Sequence, residues 1–363
     1  MGDSNSNDPV IAHHSGLTRR DFIAGASAAG VALLASATTA EADDKGVNET
    51  KVNPGHHHEA RPTFVAVTAG GQVVTCDDQG GVHQRGPELN PVTTFKVPGR
   101  PKASCLALSS AGKVLVSFFD DGVVRIFDLN NPAVSTEFKD HFLATGKGTE
   151  VWSVAVNSAG TMALSATNGG EIRYWEIAGR HTVARVTGDD EAVGALAFIP
   201  GDDYKFLSGH ADGRMFLWSI ANNTLTRQTF FDHLNASPVN SISAFKKDGN
   251  GPVMAITGSF DGNVRVWDLG DLNKPPELND KPTVLPIRHR HFVWRVAVSP
   301  NQQKFASAGE DGKVYVFDRE GTRVPGGEIE EKEGVMGVAF ASDSKIVYTT
   351  GTIAEPQVRF KDV

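Results

Sequence analysis

A short pattern recurs along most of the chain and decides what it can fold into. FDGNVRVWDL at 260–269 sets an acid–glycine turn ahead of an alternating apolar strand. Close copies are DDGVVRIFDL at 120–129, NGGEIRYWEI at 168–177, ADGRMFLWSI at 211–220 and EDGKVYVFDR at 310–319. Fainter ones are GGVHQR at 80–85 and EPQVRFKDV at 355–363. The column near the end of this strand holds Phe127, Trp175, Trp218, Trp267 and Phe317, with Arg85 and Lys361 as outliers. Steps along it are 42, 48, 43, 49, 50 and 44 residues, so seven units fill 62–363. A hydroxyl column lies four residues before the turn acid: Thr75, Ser117, Ser165, Ser208, Thr257 and Ser307. Further upstream each unit has an apolar strand, from FVAV in the first to VMGVAF in the last. Each unit reads as three short strands and a more polar fourth, without helical periodicity.

One four-stranded unit cannot bury both of its faces, whereas seven packed face to face in a ring can. The expected fold is all-β, a seven-bladed β-propeller of four-stranded antiparallel blades over 62–363. On these columns the chain resembles the WD-repeat β-propeller family. The resemblance implies a ring closed by an N-terminal segment that supplies the outer strand of the last blade. That places the closing strand within 43–61, a polar stretch that otherwise reads as a linker.

Asp121, Asp212, Asp261 and Asp311 share the turn column. Their carboxylates suit a turn because they accept backbone N–H bonds, and the following glycine tolerates positive φ. The resemblance implies that this Asp also joins a network of the strand hydroxyl, the indole N–H and a preceding loop His. Thr257, Asp261 and Trp267 fit that network in blade five, with His233 displaced, and His289, Ser307 and Asp311 fit it in blade six. The last three also spell a hydrolase triad. A nucleophilic serine needs an exposed elbow and oxyanion donors. Ser307 lies instead in a column of six mid-strand hydroxyls, with no G-x-S-x-G in the chain. These residues therefore read as structural, with Asp261→Ala expected to cost about 1–3 kcal/mol for lost buried hydrogen bonds.

The second residue of each inner strand is expected to ring one mouth of the channel: Thr63, Ser104, Trp152, Gly194, Asn240, Trp294 and Met336. The residues before the turn acids, Asp120, Ala211, Phe260 and Glu310, fall further out on the same face. Trp152, Trp294, Met336, Asn240, Asp120, Phe260 and Glu310 form the candidate partner-binding set, because aromatic anchors beside a polar rim mark binding patches. The alternative for the two tryptophans is packing between blades.

No catalytic residue, cofactor or metal site is expected. His56-His57-His58 is a run of a kind that binds metals weakly, and Cys76 and Cys105 read as two separate buried thiols. A net charge of −8 argues against a nucleic-acid partner. The reading is a non-catalytic, protein-binding scaffold. Its rival is a propeller enzyme of the quinoprotein or lactonase kind, which needs clustered ligands or acids at the channel.

TRRDFI at 18–23 followed by AGASAAGVALLASA at 24–37 resembles a twin-arginine export leader. Arg19 and Arg20 are the paired arginines, and Ala40-Glu41-Ala42 is the cleavage candidate. The apolar stretch is short of the roughly 20 residues that span a bilayer. The resemblance implies removal of 1–42, no stable membrane insertion afterwards, and a periplasmic or secreted location.

Overall fold

The computed structural model describes residues 56–57, 60–95, 103–118, 122–131, 135–141, 150–187, 191–233, 237–247, 251–270, 272, 283–350 and 357–363. The stretch expected to be a leader, with Arg19 and Arg20, and the turn residues Asp120 and Asp121 lie outside them. All regular elements among the described residues are strands, and they form seven four-stranded antiparallel sheets.

Blade one comprises β2 (Pro62–Val67), β3 (Val73–Asp77), β4 (Val82–Arg85) and β5 (Pro91–Phe95). Blade two comprises β6 (Ala103–Leu108), β7 (Lys113–Phe118), β8 (Val124–Asp128) and β9 (Ser135–Phe138). Blade three follows with β10 (Val151–Val156), β11 (Met162–Thr167), β12 (Ile172–Glu176) and β13 (His181–Val186). Blade four contains β14 (Val193–Ile199), β15 (Asp202–His210), β16 (Arg214–Ala221) and β17 (Thr224–Asp232). Blade five has β18 (Val239–Lys246), β19 (Val253–Ser259), β20 (Asn263–Asp268) and β21 (Thr283–Arg288). Blade six has β22 (Val293–Val298), β23 (Lys304–Gly309), β24 (Lys313–Asp318) and β25 (Arg323–Glu330). Blade seven joins β26 (Gly337–Ser342), β27 (Lys345–Thr350) and β28 (Gln357–Asp362) to β1 (His56–His57). His56 pairs with Val358 and His57 with Gln357, so the earliest described strand is hydrogen-bonded to the last.

The first strand of each blade pairs on one side only, and these first strands neighbour one another round a closed ring. Middle strands are covered on both faces by adjoining blades, which is why β3 is buried along its whole length. Outer strands such as β13 are largely open to solvent. The aromatic column packs backward onto the preceding blade. Phe95 of β5 meets Phe127 at 4.7 Å between ring centroids, Phe138 of β9 stacks on Trp175 at 4.0 Å, and Phe231 of β17 meets Trp267 edge-on at 5.5 Å. Large rings recur there because each must fill a gap that its own sheet does not close. Cys76 and Cys105 are both buried, and neither forms a disulfide.

Six of the first strands shift register after their opening residue, between Pro62 and Phe64, Ala103 and Cys105, Val151 and Ser153, Val193 and Ala195, Val239 and Ser241, and Val293 and Arg295. Such bulges re-aim the skipped side chain. The skipped residues are Thr63, Ser104, Trp152, Gly194, Asn240 and Trp294. Ser104 Oγ donates to Val151 O at 2.6 Å and Asn240 Nδ2 to Trp294 O at 3.1 Å, each tying its blade to the next.

The turn glycine of blade five is also a contact point. Gly262 has φ of 82°, and a Cβ there would lie 2.4 Å from His289 O, whose own N–H bonds to Gly262 O at 2.9 Å. Gly262→Ala is expected to lower stability by at least the roughly 1–2 kcal/mol cost of left-handed backbone for a residue with a Cβ. A urea denaturation midpoint equal to that of the parent protein would contradict this tight approach.

Candidate functional site

The recurring turn acids end differently in each blade, and the differences follow from which cation or imidazole stands beside them. In blade six His289 Nδ1 donates to Asp311 Oδ1 at 2.8 Å, while its Nε2 accepts from Ser307 Oγ at 2.8 Å. Arg290 N–H donates to Asp311 Oδ2 at 2.9 Å and Lys313 N–H to Oδ1 at 3.2 Å. Burial by itself would raise the Asp311 pKa, but these donors, His289 foremost, hold it below the usual carboxylate value. Phe317 fills the indole position.

Blade five is built the other way round. Asp261 accepts from Asn263 N–H at 2.9 Å and pairs with Arg265 NH2 at 2.5 Å, both side chains being buried. Arg265 NH1 lies 3.2 Å from His233 Nδ1. A guanidinium can only donate, so Nδ1 accepts and the proton sits on Nε2, which donates to Thr257 Oγ1 at 3.1 Å. Trp267 Nε1 donates to the same oxygen at 2.9 Å. Asp261 thus reaches the imidazole through Arg265 and not directly.

Blade three forms a network around Glu171, beyond the turn position where four other blades carry Asp. His141 Nδ1 donates to Glu171 Oε2 at 2.9 Å, and Nε2 accepts from Ser165 Oγ at 2.6 Å. Arg173 NH2 closes on Glu171 Oε1 at 2.8 Å. In blade four Asp212 pairs with Arg214, while Ser208 Oγ contacts His210 Nε2 at 2.8 Å and accepts from Trp218 Nε1 at 2.7 Å. In blade one Asp77 bonds His83 Nε2 at 3.0 Å.

Two of these features lie outside the columns read above yet are visible in the sequence. His141 stands 24 residues before Ser165, the separation of His233 from Thr257. Arg125, Arg173, Arg265 and Arg359 all stand two residues before the aromatic-column position. They pair with Glu137, Glu171, Asp261 and Glu331 respectively.

The serine–histidine–acid constellation of blade six is sealed. Ser307 is 0 % and His289 1 % exposed, so no substrate atom reaches the hydroxyl. A cavity of about 320 Å³ lies elsewhere, between blades three and four, lined by Gly170, Val186, His210, Trp218, Leu225 and Arg227 among others. No group of three or more metal-ligating side chains occurs among the described residues.

The accessible arrangement lies at the turn-bearing ends of blades five and six. Phe260 and Phe292 are half-buried and stacked at 4.4 Å, and both contact the Trp294 ring edge-on, at 5.5 and 5.9 Å. Trp294 itself is 3 % exposed, with its indole N–H bonded to Glu310 Oε2 at 2.7 Å. Trp152 is held in the same manner, donating to Glu150 Oε2 at 3.0 Å, and is 6 % exposed. Asn240 is buried, and Met336 is half-buried. The two tryptophans therefore present little surface of their own, whereas Phe260, Met336 and Glu310 of the expected set are half-buried, as is Phe292, which that set did not include.

Removing the Asp261 carboxylate would strand a buried guanidinium, a larger effect than loss of turn hydrogen bonds. Asp261→Ala is expected to cost about 3–5 kcal/mol, and Asp261→Ala with Arg265→Met distinctly less. Equal denaturation midpoints for the single and double variants would refute the pairing. Burial and the adjacent Arg265 push the His233 pKa down from 6.5 to about 3. Between those values the unfolded chain binds a proton that the folded chain refuses, so stability falls as pH falls. His233→Gln should shrink the drop in urea midpoint between about pH 7 and about pH 5, and an unchanged drop would contradict it.

Comparison with known proteins agrees with this architecture. The model of the WD domain, G-beta repeat, matches residues 89–128, 225–268 and 283–318. Each match begins within two residues of the start of an outer strand and ends with the third strand of the next blade, so the repeat straddles two blades. Protein SPA1-RELATED 3 of Arabidopsis thaliana is 24 % identical over 62 % of this chain and 25 % of its own length. Striatin-4 of Mus musculus is 29 % identical over 35 % of this chain and 18 % of its own. The U3 small nucleolar RNA-associated protein 15 homolog of Gallus gallus is 28 % identical over 41 % of this chain and 26 % of its own. The matched region thus spans about a quarter or less of these relatives. They are plant and animal proteins, one of them named for a nucleolar RNA. This overturns the periplasmic or secreted location drawn from the paired arginines, because these relatives are eukaryotic proteins and one is named for a nucleolar RNA. Three segments of the chain thus match the WD40 repeat, and the chain folds as a seven-bladed β-propeller.

Proposed function

We propose that the chain is a non-catalytic protein-interaction platform that receives its partner on the turn-bearing ends of blades five to seven. The supporting observation is the stacked, half-buried pair Phe260–Phe292 seated on the buried Trp294, with Glu310 fixing the indole below. Rigid aromatic surface held in one rotamer loses little entropy on binding, and a carboxylate rim adds selectivity. Met336 extends the patch toward blade seven. Sealing of Ser307 and His289 favours a binding role over the enzyme alternative. WD40 repeats shared with proteins such as a nucleolar-RNA-associated homolog favour a place in a multiprotein assembly. Protein is the preferred partner class over nucleic acid, since the chain is acidic overall. No helix among the described residues is long and apolar enough to cross a membrane.

Affinity purification of the tagged full chain, quantified against variants, tests this reading. Phe260→Ala with Phe292→Ala should reduce recovery of specific partners about tenfold or more, the loss typical of an aromatic anchor. Tyr204→Ala, which alters a 63 %-exposed side chain near the opposite ends of the strands, should leave recovery unchanged. Equal recovery by all three proteins would reject the patch.

A further inference from the structure

The first strands of the blades turn an unpaired backbone edge toward the central axis. Their sequences, PTFVAV, ASCLAL, VWSVAV, VGALAFI, VNSISAFK, VWRVAV and GVAFAS, contain no Asp or Glu. They contain two cations, Lys246 at the far end of β18 and Arg295 near the start of β22. At the place of Arg295, the first pair after the bulge, other blades carry Phe64, Cys105, Ser153, Ala195, Ser241 and Gly337. None is charged.

Arg295 reaches past blade seven to blade one. Its guanidinium carbon lies 4.2 Å from the centroid of the Phe64 ring, which belongs to blade one on the far side of blade seven. Gly337 in blade seven places no side chain at the equivalent position between them. NH1 donates to Asn240 O at 3.2 Å and to Trp294 O at 3.1 Å. Nε and NH2 meet no acceptor among the described residues. The side chain is half-buried, and burial draws its pKa below the ordinary guanidinium value. The groups that oppose that shift are the thiols of Cys105 and Cys76, and no carboxylate contributes.

A half-buried cation lacking a counter-ion carries a cost that an anion or water at its open edge relieves. We propose that the Nε–NH2 edge of Arg295 is a carboxylate-binding site in the central channel. That edge presents two parallel N–H donors, which match the two oxygens of one carboxylate. The Phe64 ring fixes the plane of the fork, and the two carbonyls fix its rotation. One cation among neutral groups balances a monoanion, whereas a phosphate dianion would leave excess charge in the channel. The site is separate from the Phe260–Phe292 patch, so either can fail without the other.

Acetate is the probe. Line broadening and saturation transfer from the full-length protein to acetate in NMR should report saturable binding that chloride at equal ionic strength does not abolish. Acetate should also raise the thermal unfolding midpoint in a concentration-dependent way, as any ligand selective for the folded state does. Arg295→Met keeps a flexible chain over Phe64, yet should weaken binding about tenfold or more by removing both charge-assisted bonds. Should that variant unfold, the parent protein's own NMR titration still decides the matter. A tripeptide with blocked ends and a central Asp separates the two sources of the chemistry. Binding of acetate alone assigns the site to a small acid; binding of both assigns it to an acidic side chain as well. No saturable acetate binding, or binding unchanged in a folded Arg295→Met, would overturn the proposal.

Discussion

Every blade in this chain depends on its neighbours for burial, and the contact that expresses this is the backward packing of the aromatic column. A radial four-stranded sheet has two apolar faces and no layer of its own to cover them. Phe127, Trp175 and Trp267 each fill the seam with the outer strand of the blade before, against Phe95, Phe138 and Phe231. Stability is then a sum of seams, and a ring leaves none open. The pairing of His56–His57 with β28 belongs to the same logic, since it couples the last three-stranded unit to an earlier part of the chain.

Buried polar groups form a second layer of coupling on this frame. Blades three and six place an imidazole directly between hydroxyl and carboxylate, with the proton on Nδ1. Blade five inserts Arg265 and reverses the tautomer. Blade four takes its imidazole from His210 inside the strand and leaves Asp212 to Arg214. The common requirement is that the buried strand hydroxyl and the nearby acid each find a partner, which in blades three, five and six comes from the loop leading into the blade or from an arginine beside it. Several side-chain sets meet it, so the residues vary while the geometry persists.

Much of the fold was legible from the chain alone because propeller blades repeat. Period, turn glycines and the hydroxyl column all survive as local patterns, and they specify strand count and order. The partners of individual side chains were less legible. His141 and the arginine column are present in the sequence, but nothing local says that Arg265 reaches Asp261 or that Glu171 stands in for a turn Asp. Arg265 and Asp261 are only four positions apart, but the imidazoles that complete these networks are distant, His233 standing 32 positions from Arg265 and His141 30 from Glu171. The candidate surface shows the same division. Trp152 and Trp294 read as exposed anchors by position, yet the bulge at each re-aims the ring into the protein and leaves Phe260 and Phe292 to face outward.

By itself the sequence determined an all-β chain of seven similar units, because strand periodicity and turn chemistry act over a few residues. Tertiary structure alone decided which carboxylates are neutralised by arginine, which aromatic rings remain accessible, and that Arg295 reaches over blade seven to Phe64. Ring closure brings blades six and one within reach across blade seven. Distances of that kind have no counterpart in residue spacing, so only the folded ring could set them.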